Sequence, residues 1–183
     1  LSGLPVMKAE GKFPLEFERM PYRTVLLEKV NEVRSISSSG NTGMVLLATY
    51  NELMLYDPDF NAVIKKFRRC SNIRSASLSS CGRLMLVHFT ENTLRVICTR
   101  TGRDFGQLLG VPHSAMKFTL SANGSRAIGG NNRTLTVWRT NNCKLVFASN
   151  NWTNMNCSAI NDTGDIFAVG TFNGQIFLLK PIT

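Results

Sequence analysis

Short apolar runs separated by turn residues repeat along most of this 183-residue chain. Between residues 115 and 147 the chain contains four such runs, AMKFTL, SRAIGG, TLTVW and KLVF, joined by Ala-Asn-Gly, Asn-Asn and Thr-Asn-Asn. Short runs rich in Val, Leu, Thr and aromatic residues are typical of β-strands, and Asn and Gly between them are typical of hairpin turns. The stretch therefore predicts four antiparallel strands joined by tight turns.

The same pattern begins again at regular intervals along the chain. Equivalent positions are Val33, Ile73, Ala115 and Met155, which are 40, 42 and 40 residues apart. The remaining runs are VRSISSS, MVLLATY, LMLYD, VIKKF, IRSASLSS, RLMLVHF, TLRVICT, DFGQLL, MNCSAI, DIFAVGTF and QIFLLK. Four strands in about 40 residues is the period of a propeller blade. The sequence predicts an all-β fold, a β-propeller of about four four-stranded antiparallel blades, alone or as part of a larger ring.

These repeats resemble those of the WD-repeat (WD40-like) family over about residues 23–183. The third strand in that family ends in Trp-Asp, and the pairs that hold this place here are Tyr56-Asp57, Cys98-Thr99, Trp138-Arg139 and Leu179-Lys180. The Ser/Asn-x-x-Gly turn of the family is kept at Gly82, Gly124 and Gly164, whereas its Gly-His before the first strand is missing. The resemblance implies a scaffold for protein–protein contacts. It also implies that Trp138 and its counterparts Tyr56, Cys98 and Leu179 pack between blades.

The two ends of the repeated region do not match. Residues 1–22 contain three of the six prolines and no regular period, which predicts an extended N-terminal arm or linker. WD40-like blades are expected over residues 23–183, with repeats starting near residues 33, 73, 115 and 155. Residues 23–30, RTVLLEKV, predict a strand outside these repeats, while the last repeat has only three strands. Strand 23–30 could complete the last blade, or it could finish an earlier blade of a larger ring, or a partner could complete the ring. We favour the larger ring, because the chain begins with Leu rather than Met.

Small residues in the second strand of the repeats have a predicted structural role. Strand residues near a propeller axis are crowded by neighbouring blades. The small residues are Ala48, Gly129, Gly130, Ala168 and Gly170. We expect them to lie close to such an axis.

Composition narrows the class of protein. Hydrophobic residues make up 43% and charged residues 18% of the chain, which indicates a folded protein. No apolar run approaches the ~20 residues of a membrane helix, so no membrane span is expected. Five cysteines, without a C-x-x-C pair, predict free buried thiols in a reducing compartment and no metal site. They are Cys70, Cys81, Cys98, Cys143 and Cys157. The predicted location is therefore intracellular, either cytoplasmic or nuclear.

Asn-x-Ser/Thr sequons have two interpretations. They occur at Asn123, Asn132, Asn151, Asn156 and Asn161. They could accept glycans in a secreted protein. They also fall where turns of the repeat favour Asn, and this second interpretation is preferred.

Basic and aromatic residues are the candidates for partner binding. The net charge is +9, and the densest basic run lies between residues 65 and 74, with no acid among its residues. It could bind an acidic protein surface or nucleic acid, or simply protect an outer strand from aggregation. Exposed aromatic residues in turns could anchor the same interface. The predicted partner-binding residues are Lys65, Lys66, Arg68, Arg69, Arg74, Tyr50 and Phe172.

Catalytic motifs are missing from the sequence, and no cofactor is expected. No G-x-S-x-G motif or Gly-rich phosphate loop occurs. His88 alternates with apolar residues in LVHF, which predicts a hydrogen-bonded interior histidine rather than a base. We expect a non-catalytic protein–protein interaction scaffold, a docking platform within a larger protein or complex. Alternatives are a basic module associated with RNA or DNA and a secreted glycosylated propeller enzyme or lectin.

Overall fold

The computed structural model describes residues 32–60, 62–67, 70–112, 117–150, 152 and 154–180. Within these residues every element of regular structure is a β-strand. The described part of the chain accordingly holds no helix of the length and apolarity needed to cross a membrane. The all-β prediction is confirmed. The predicted arm over residues 1–22 and the predicted strand over residues 23–30 lie outside the described residues.

The described residues contain fifteen strands in four antiparallel sheets, and within each sheet every strand pairs with its neighbour along the chain. The first sheet contains β1 (Ser35–Ser38), β2 (Val45–Ala48), β3 (Leu53–Asp57) and β4 (Ala62–Phe67). The second contains β5 (Ile73–Leu78), β6 (Leu84–Phe89), β7 (Leu94–Cys98) and β8 (Asp104–Gln107). The third contains β9 (Lys117–Leu120), β10 (Arg126–Gly130), β11 (Leu135–Arg139) and β12 (Lys144–Ser149). The fourth contains β13 (Met155–Ile160), β14 (Phe167–Thr171) and β15 (Ile176–Leu179). Each apolar run predicted from residue 33 onward forms a strand.

The turn between the first and second strands has the same conformation in three sheets. Gly82, Gly124 and Gly164 have φ angles of 68°, 74° and 82°, in the left-handed region that glycine adopts without a steric penalty. The N–H groups of Gly82 and Gly124 donate to the carbonyls of Ser79 and Ser121 at 2.8 and 2.9 Å. The predicted Ser/Asn-x-x-Gly turns are therefore confirmed.

Asn161 shows why Asn occurs in these turns. Its Oδ1 accepts hydrogen bonds from the backbone N–H groups of Gly164, Asp165 and Ile166 at 2.9, 3.0 and 3.0 Å. One side chain thus accepts from three backbone donors of a tight turn, of which Gly164 N–H also donates to the Asn161 carbonyl at 3.2 Å. These hydrogen bonds explain why Asn, the first residue of a sequon, occurs at position 161.

The same turns also join each sheet to the next. The backbone N–H groups of Asn41, Cys81 and Asn123 donate to the carbonyls of Ser80, Ala122 and Asp162 at 3.0, 3.0 and 3.2 Å. The three bonds are equivalent, and each runs from the turn of one repeat to the turn of the next. Each sheet is therefore joined to the next by the same kind of hydrogen bond.

Three apolar clusters separate the four sheets. Residues of β6 alternate between two of them, since Met85 and Val87 face the first sheet and Leu86 faces the third. A third cluster, around Ile128 and Val169, lies between the third and fourth sheets. Both faces of the second and third sheets are covered, which a four-stranded sheet cannot achieve alone.

Contacts between sheets involve mainly the first strand of each sheet. β1 and β2 contact β5, β5 and β6 contact β9, and β9 and β10 contact β13. Among the described strands no comparable contact joins the fourth sheet to the first. The structure thus contains four consecutive stacked sheets, and closure into a ring is not shown.

Trp138 is fully buried between the second and third sheets, as predicted. Its counterpart in the second sheet is Ile97 rather than Cys98, because β10 pairs Ala127 with Trp138 where β6 pairs Met85 with Ile97. The prediction for Cys98 was wrong by one residue. A half-buried thiol holds the next position along the strand.

Two of the small residues in second strands are required by their own sheets. A Cβ on Gly130 would overlap the carbonyl oxygen of Thr134 in the adjacent turn, and a Cβ on Gly170 would lie 2.7 Å from Cys157 Sγ. The tightest contact at each position therefore arises within one sheet, and Met155 of the fourth sheet adds a contact at 3.0 Å from the Cβ on Gly130.

The cysteines are free thiols, but they do not share one environment. Cys143 is buried and Cys157 is exposed, whereas the others are half-buried. Burial raises the pKa of the Cys143 thiol. The prediction of buried thiols holds for Cys143 alone.

Candidate functional site

The fourth sheet ends in an exposed apolar strand edge. Among the described strands β15 pairs only with β14, whereas the other three sheets have four strands each. Leu179 faces the cluster shared with the third sheet, and Ile176 and Leu178 are 79% and 76% exposed. An unpaired strand carries backbone donors and acceptors that can accept a further strand. We refer to this strand, Ile176–Leu179, as the β15 edge.

The turn before β15 fixes this strand. Gly174 adopts a φ of 77° and donates its N–H to the Thr171 carbonyl at 3.1 Å. The Asn-Gly pair therefore forms the tight hairpin that its sequence predicts. Phe172, in the same hairpin, is 67% exposed.

An apolar cleft of about 500 Å³ lies between the third and fourth sheets and reaches the end of β15. Val146 and Phe147 of β12 line one side, and Phe167 and Leu179 line the other. Both β12 residues are exposed. We refer to these four residues as the apolar cleft, and its volume is within the range of ligand sites, about 300 to 1,000 Å³.

Three charged side chains also line the apolar cleft: Arg126, Lys180 and Asp165. Hydrogen bonds from Thr163 Oγ1 and Asn161 Nδ2 lower the pKa of Asp165, so its carboxylate is ionised at neutral pH. These bonds also occupy one carboxylate oxygen of Asp165. The two cations together outweigh this single anion, which makes the charged part of the cleft attractive to an acidic group.

The basic residues predicted to bind a partner are distributed over two sheets. Lys65 and Lys66 are consecutive in β4, so their side chains leave opposite faces of the strand. Lys65 Nζ donates to the Arg100 carbonyl at 2.7 Å and lies 5.0 Å from the centre of the Phe67 ring. Arg74 is exposed on β5, the first strand of the next sheet. Lys65 thus connects two sheets, while Arg68 and Arg69 lie outside the described residues.

The two aromatic residues predicted to be exposed in turns are confirmed as such. Tyr50 and Phe172 occupy equivalent hairpins, between the second and third strands of the first and fourth sheets, and Tyr50 is 37% exposed. The Tyr50 carbonyl accepts the Ile73 N–H at 2.9 Å, and the Arg34 guanidinium lies 5.4 Å from the Tyr50 ring centre. Both aromatics therefore lie at the same end of their sheets, the end where the second strand turns into the third.

A second basic region was missed by the sequence analysis. At the opposite end of the second and third sheets, six cations occupy the turns or the strand ends beside them, and all but Arg126 are exposed. They are Arg83, Arg100, Arg103, Arg126, Arg139 and Lys144, which we call the basic turns. Two acids lie beside these turns: Asp104, which is ion-paired with Arg95, and Asp165, which lines the apolar cleft with Arg126. Aligning the turns of the repeats would have revealed this group, whereas a search for consecutive cations does not.

His88 lies in a third feature, a cavity of about 330 Å³ between the first strands of the sheets. The imidazole is 2% exposed, which confirms an interior histidine. Asn92 is the polar side chain that interacts with it, but neither ring nitrogen has a partner at full hydrogen-bond geometry among the described residues. Burial lowers the pKa of His88, and its imidazole is neutral at pH 7. Residues lining the cavity are Ser75, Ala76, Ser77, Leu86, His88, Phe118, Thr119 and Ser158.

Across the described ranges, His, Cys, Asp and Glu side chains do not form a group of three that could hold a metal ion. Comparison with known proteins adds no functional assignment: no protein-family model matches the chain, and no curated protein shows significant similarity to it. The geometry of the three features described above is therefore the basis for assigning a function.

Proposed function

We propose that this protein is a non-catalytic docking platform built from WD-type propeller blades. Its partner would be a protein that adds an extended segment to the β15 edge. The observation that carries this proposal is an exposed apolar strand edge that borders an apolar cleft. Strand addition of this kind derives affinity from backbone hydrogen bonds and specificity from pockets for alternate side chains.

The propeller part of the proposal is supported by the repeated arrangement of the sheets. Four sheets follow one another at a period of about 40 residues, and equivalent turn residues join each sheet to the next. The outer faces of the two end sheets are both apolar, with Ile36 64% exposed on the first and Leu178 exposed on the fourth. Such faces are covered in a propeller by neighbouring blades.

The docking part follows from the chemistry around β15. A strand added there would present alternate side chains to the apolar cleft, where Val146 and Phe147 offer apolar surface. Arg126 and Lys180 favour an acidic residue near the segment end that reaches them. Phe172 is exposed in the preceding hairpin, where its backbone N–H donates to the Asn154 carbonyl at 2.9 Å. We therefore expect an extended segment with alternating apolar residues and one acidic residue.

Panning of a displayed peptide library on the full chain tests this proposal. We expect selected peptides to share the alternating apolar pattern with an acidic residue, and to bind Leu178→Lys at least about tenfold more weakly, because a charge at a strand edge opposes pairing. Ile36→Lys is the matched control, since Ile36 is also exposed on the edge strand of an end sheet. Peptides with N-methylated backbones should also lose binding.

Two results would contradict the proposal. Peptides that bind Leu178→Lys as tightly as the unaltered protein would place docking elsewhere. Failure to select peptides, together with crosslinks from β15 to residues 23–30, would show that the chain itself fills the edge.

The basic turns support a second candidate function, binding of nucleic acid. Six cations outnumber the two nearby acids, Asp104 and Asp165, and form a positive surface at one end of two adjacent sheets. Such a surface attracts phosphate groups, and the affinity then falls steeply with salt. We expect the affinity for a single-stranded RNA oligonucleotide to fall with added salt, and more strongly in unaltered protein than in an Arg83→Glu, Arg139→Glu double variant.

The control for this experiment changes the same amount of charge at the other end of the sheets. Arg34 and Arg74 are exposed there, and an Arg34→Glu, Arg74→Glu variant should retain the affinity. Equal losses of RNA affinity in both double variants would show that only the net charge of the protein attracts the RNA. That outcome, or absence of binding at low salt, would contradict an RNA site at the basic turns.

A further inference from the structure

The fourth strand of each four-stranded sheet contains a β-bulge at the same place. In β4, β8 and β12 the pairing with the third strand is interrupted once, and one residue of the fourth strand has no partner there. The third-strand residues on either side of the interruption are Leu55 and Tyr56, Val96 and Ile97, and Val137 and Trp138. The extra residues are Ile64, Phe105 and Val146, which are large, apolar and 39% to 52% exposed. Three copies of the repeat thus add the same feature to the outer strand.

β15 presents the same edge to a fourth strand. In all four sheets the second and third strands pair antiparallel without interruption. This register places Leu178 and Leu179 at the positions that Val137 and Trp138 hold in the third sheet. A strand that joins β15 as β12 joins β11 would therefore carry its extra residue opposite the step between Leu178 and Leu179.

The bulge in β12 shows how the extra residue changes the direction of the side chains. Successive strand residues normally point to opposite faces, yet Val146 and Phe147 both line the apolar cleft. Leu145 pairs with Trp138, whose side chain packs toward the second sheet. A bulge re-aims one side chain in this way. The next residue on the face of Leu145 is consequently Ala148, three positions further along rather than two.

We propose that the partner segment joins β15 antiparallel, with its N-terminal end at Lys180 and one extra apolar residue opposite the step between Leu178 and Leu179. Its two residues that face the apolar cleft pair with Leu179 and Phe177, and the bulge sets them three positions apart. The bulge residue lies between them and covers the outer face of the fourth sheet. This inference rests on the proposed docking function, and it interrupts at one place the alternation expected of the segment.

The surroundings of β15 specify the chemistry of each position. The Phe177 ring meets Trp152, with ring centres 5.2 Å apart, so a residue opposite Phe177 joins an apolar surface. The bulge residue falls beside Leu178, which is 76% exposed, and a large apolar side chain there removes this surface from water. Arg126 and Lys180 lie where the segment begins, so an acidic residue is expected before the first cleft-facing residue. The predicted order is an acidic residue, an apolar residue in the cleft, an apolar bulge residue, any residue, and a second apolar residue in the cleft.

Panning of two displayed peptide libraries on the full chain tests this register. Both libraries fix an acidic residue followed by two apolar positions, and they differ only in placing two residues or one residue between these apolar positions. We expect binders from the two-residue library alone. Deletion of the bulge residue from a selected peptide should weaken binding by at least about tenfold. Binding should also be lost in Leu178→Lys and kept in the control variant Ile36→Lys.

The variant Lys180→Glu tests the direction of the segment. A selected peptide with its acidic residue at the N-terminal end should bind this variant at least about tenfold more weakly than the unaltered protein. The same peptide with the acidic residue moved to its C-terminal end should bind both proteins equally. A loss confined to the second peptide would contradict antiparallel addition.

The outcomes separate the register from the docking function. The register is wrong if peptides with one residue between the apolar positions bind as tightly as those with two. Docking at the β15 edge would then still hold, provided that these peptides lose affinity in Leu178→Lys. If neither these libraries nor an unrestricted library yields peptides that depend on Leu178, the docking function is wrong and the register with it.

Discussion

Replacement of Trp138 by alanine is expected to lower the free energy of unfolding by about 4 kcal/mol, in the range found for large buried aromatic residues. The indole is fully buried in the cluster between the second and third sheets, and its Nε1 donates to the Leu109 carbonyl at 2.6 Å. The substitution leaves a large cavity and an unpaired carbonyl at the same junction. Urea denaturation followed by circular dichroism measures the change.

Two control variants divide this effect into its parts. Trp138→Phe retains most of the apolar contact but loses the hydrogen bond, so about 1 to 2 kcal/mol is expected. Phe172→Ala removes an aromatic ring that is exposed, and less than about 0.5 kcal/mol is expected. A loss below about 1 kcal/mol for Trp138→Ala would show that the sheets do not pack through this cluster.

Gly130→Ala is expected to cost about 3 kcal/mol, the upper part of the range for overpacked interiors. The added Cβ would overlap the Thr134 carbonyl oxygen and lie 2.9 Å from its carbonyl carbon, so the hairpin between β10 and β11 must open. Thermal unfolding of the variant measures this loss.

Gly174→Ala provides the matched control. Gly174 has a φ of 77° and no atom within 4 Å of an added Cβ. The expected loss of stability, about 1 to 2 kcal/mol, therefore comes from backbone strain alone. At Gly130 the φ is outside the left-handed region, so the loss comes from steric overlap alone. Equal losses in the two variants would contradict a steric requirement at Gly130.

The strands were predictable because their signals are local. Each apolar run is bounded by turn residues, and left-handed glycines such as Gly124 need only their own turn to explain them. Burial of Trp138 also followed from alternation within one strand. The repeat alignment failed at Cys98, because the register depends on the pairing of β6 with β7, which the composition of one strand does not specify.

The candidate sites depend on residues that are distant in the sequence. The contact of the His88 ring with Phe118 joins β6 to β9 of the next sheet, and LVHF alone does not reveal it. Turns of two different repeats bring Arg83 and Arg139 to the same end of adjacent sheets. Lys65 was predicted to bind a partner because of its basic neighbours, whereas in the structure the Arg100 carbonyl of the next sheet accepts its hydrogen bond. Tertiary contacts, rather than local propensity, determine these features.

Hydrogen–deuterium exchange on the full chain, with and without a peptide selected from the library, tests the docking function most directly. We predict that the peptide slows exchange at the backbone amides of β15 and leaves the hairpin of Tyr50 unchanged, because added strands form backbone hydrogen bonds at the edge they join. Slower exchange at the Tyr50 hairpin, with no change in β15, would contradict docking at the β15 edge.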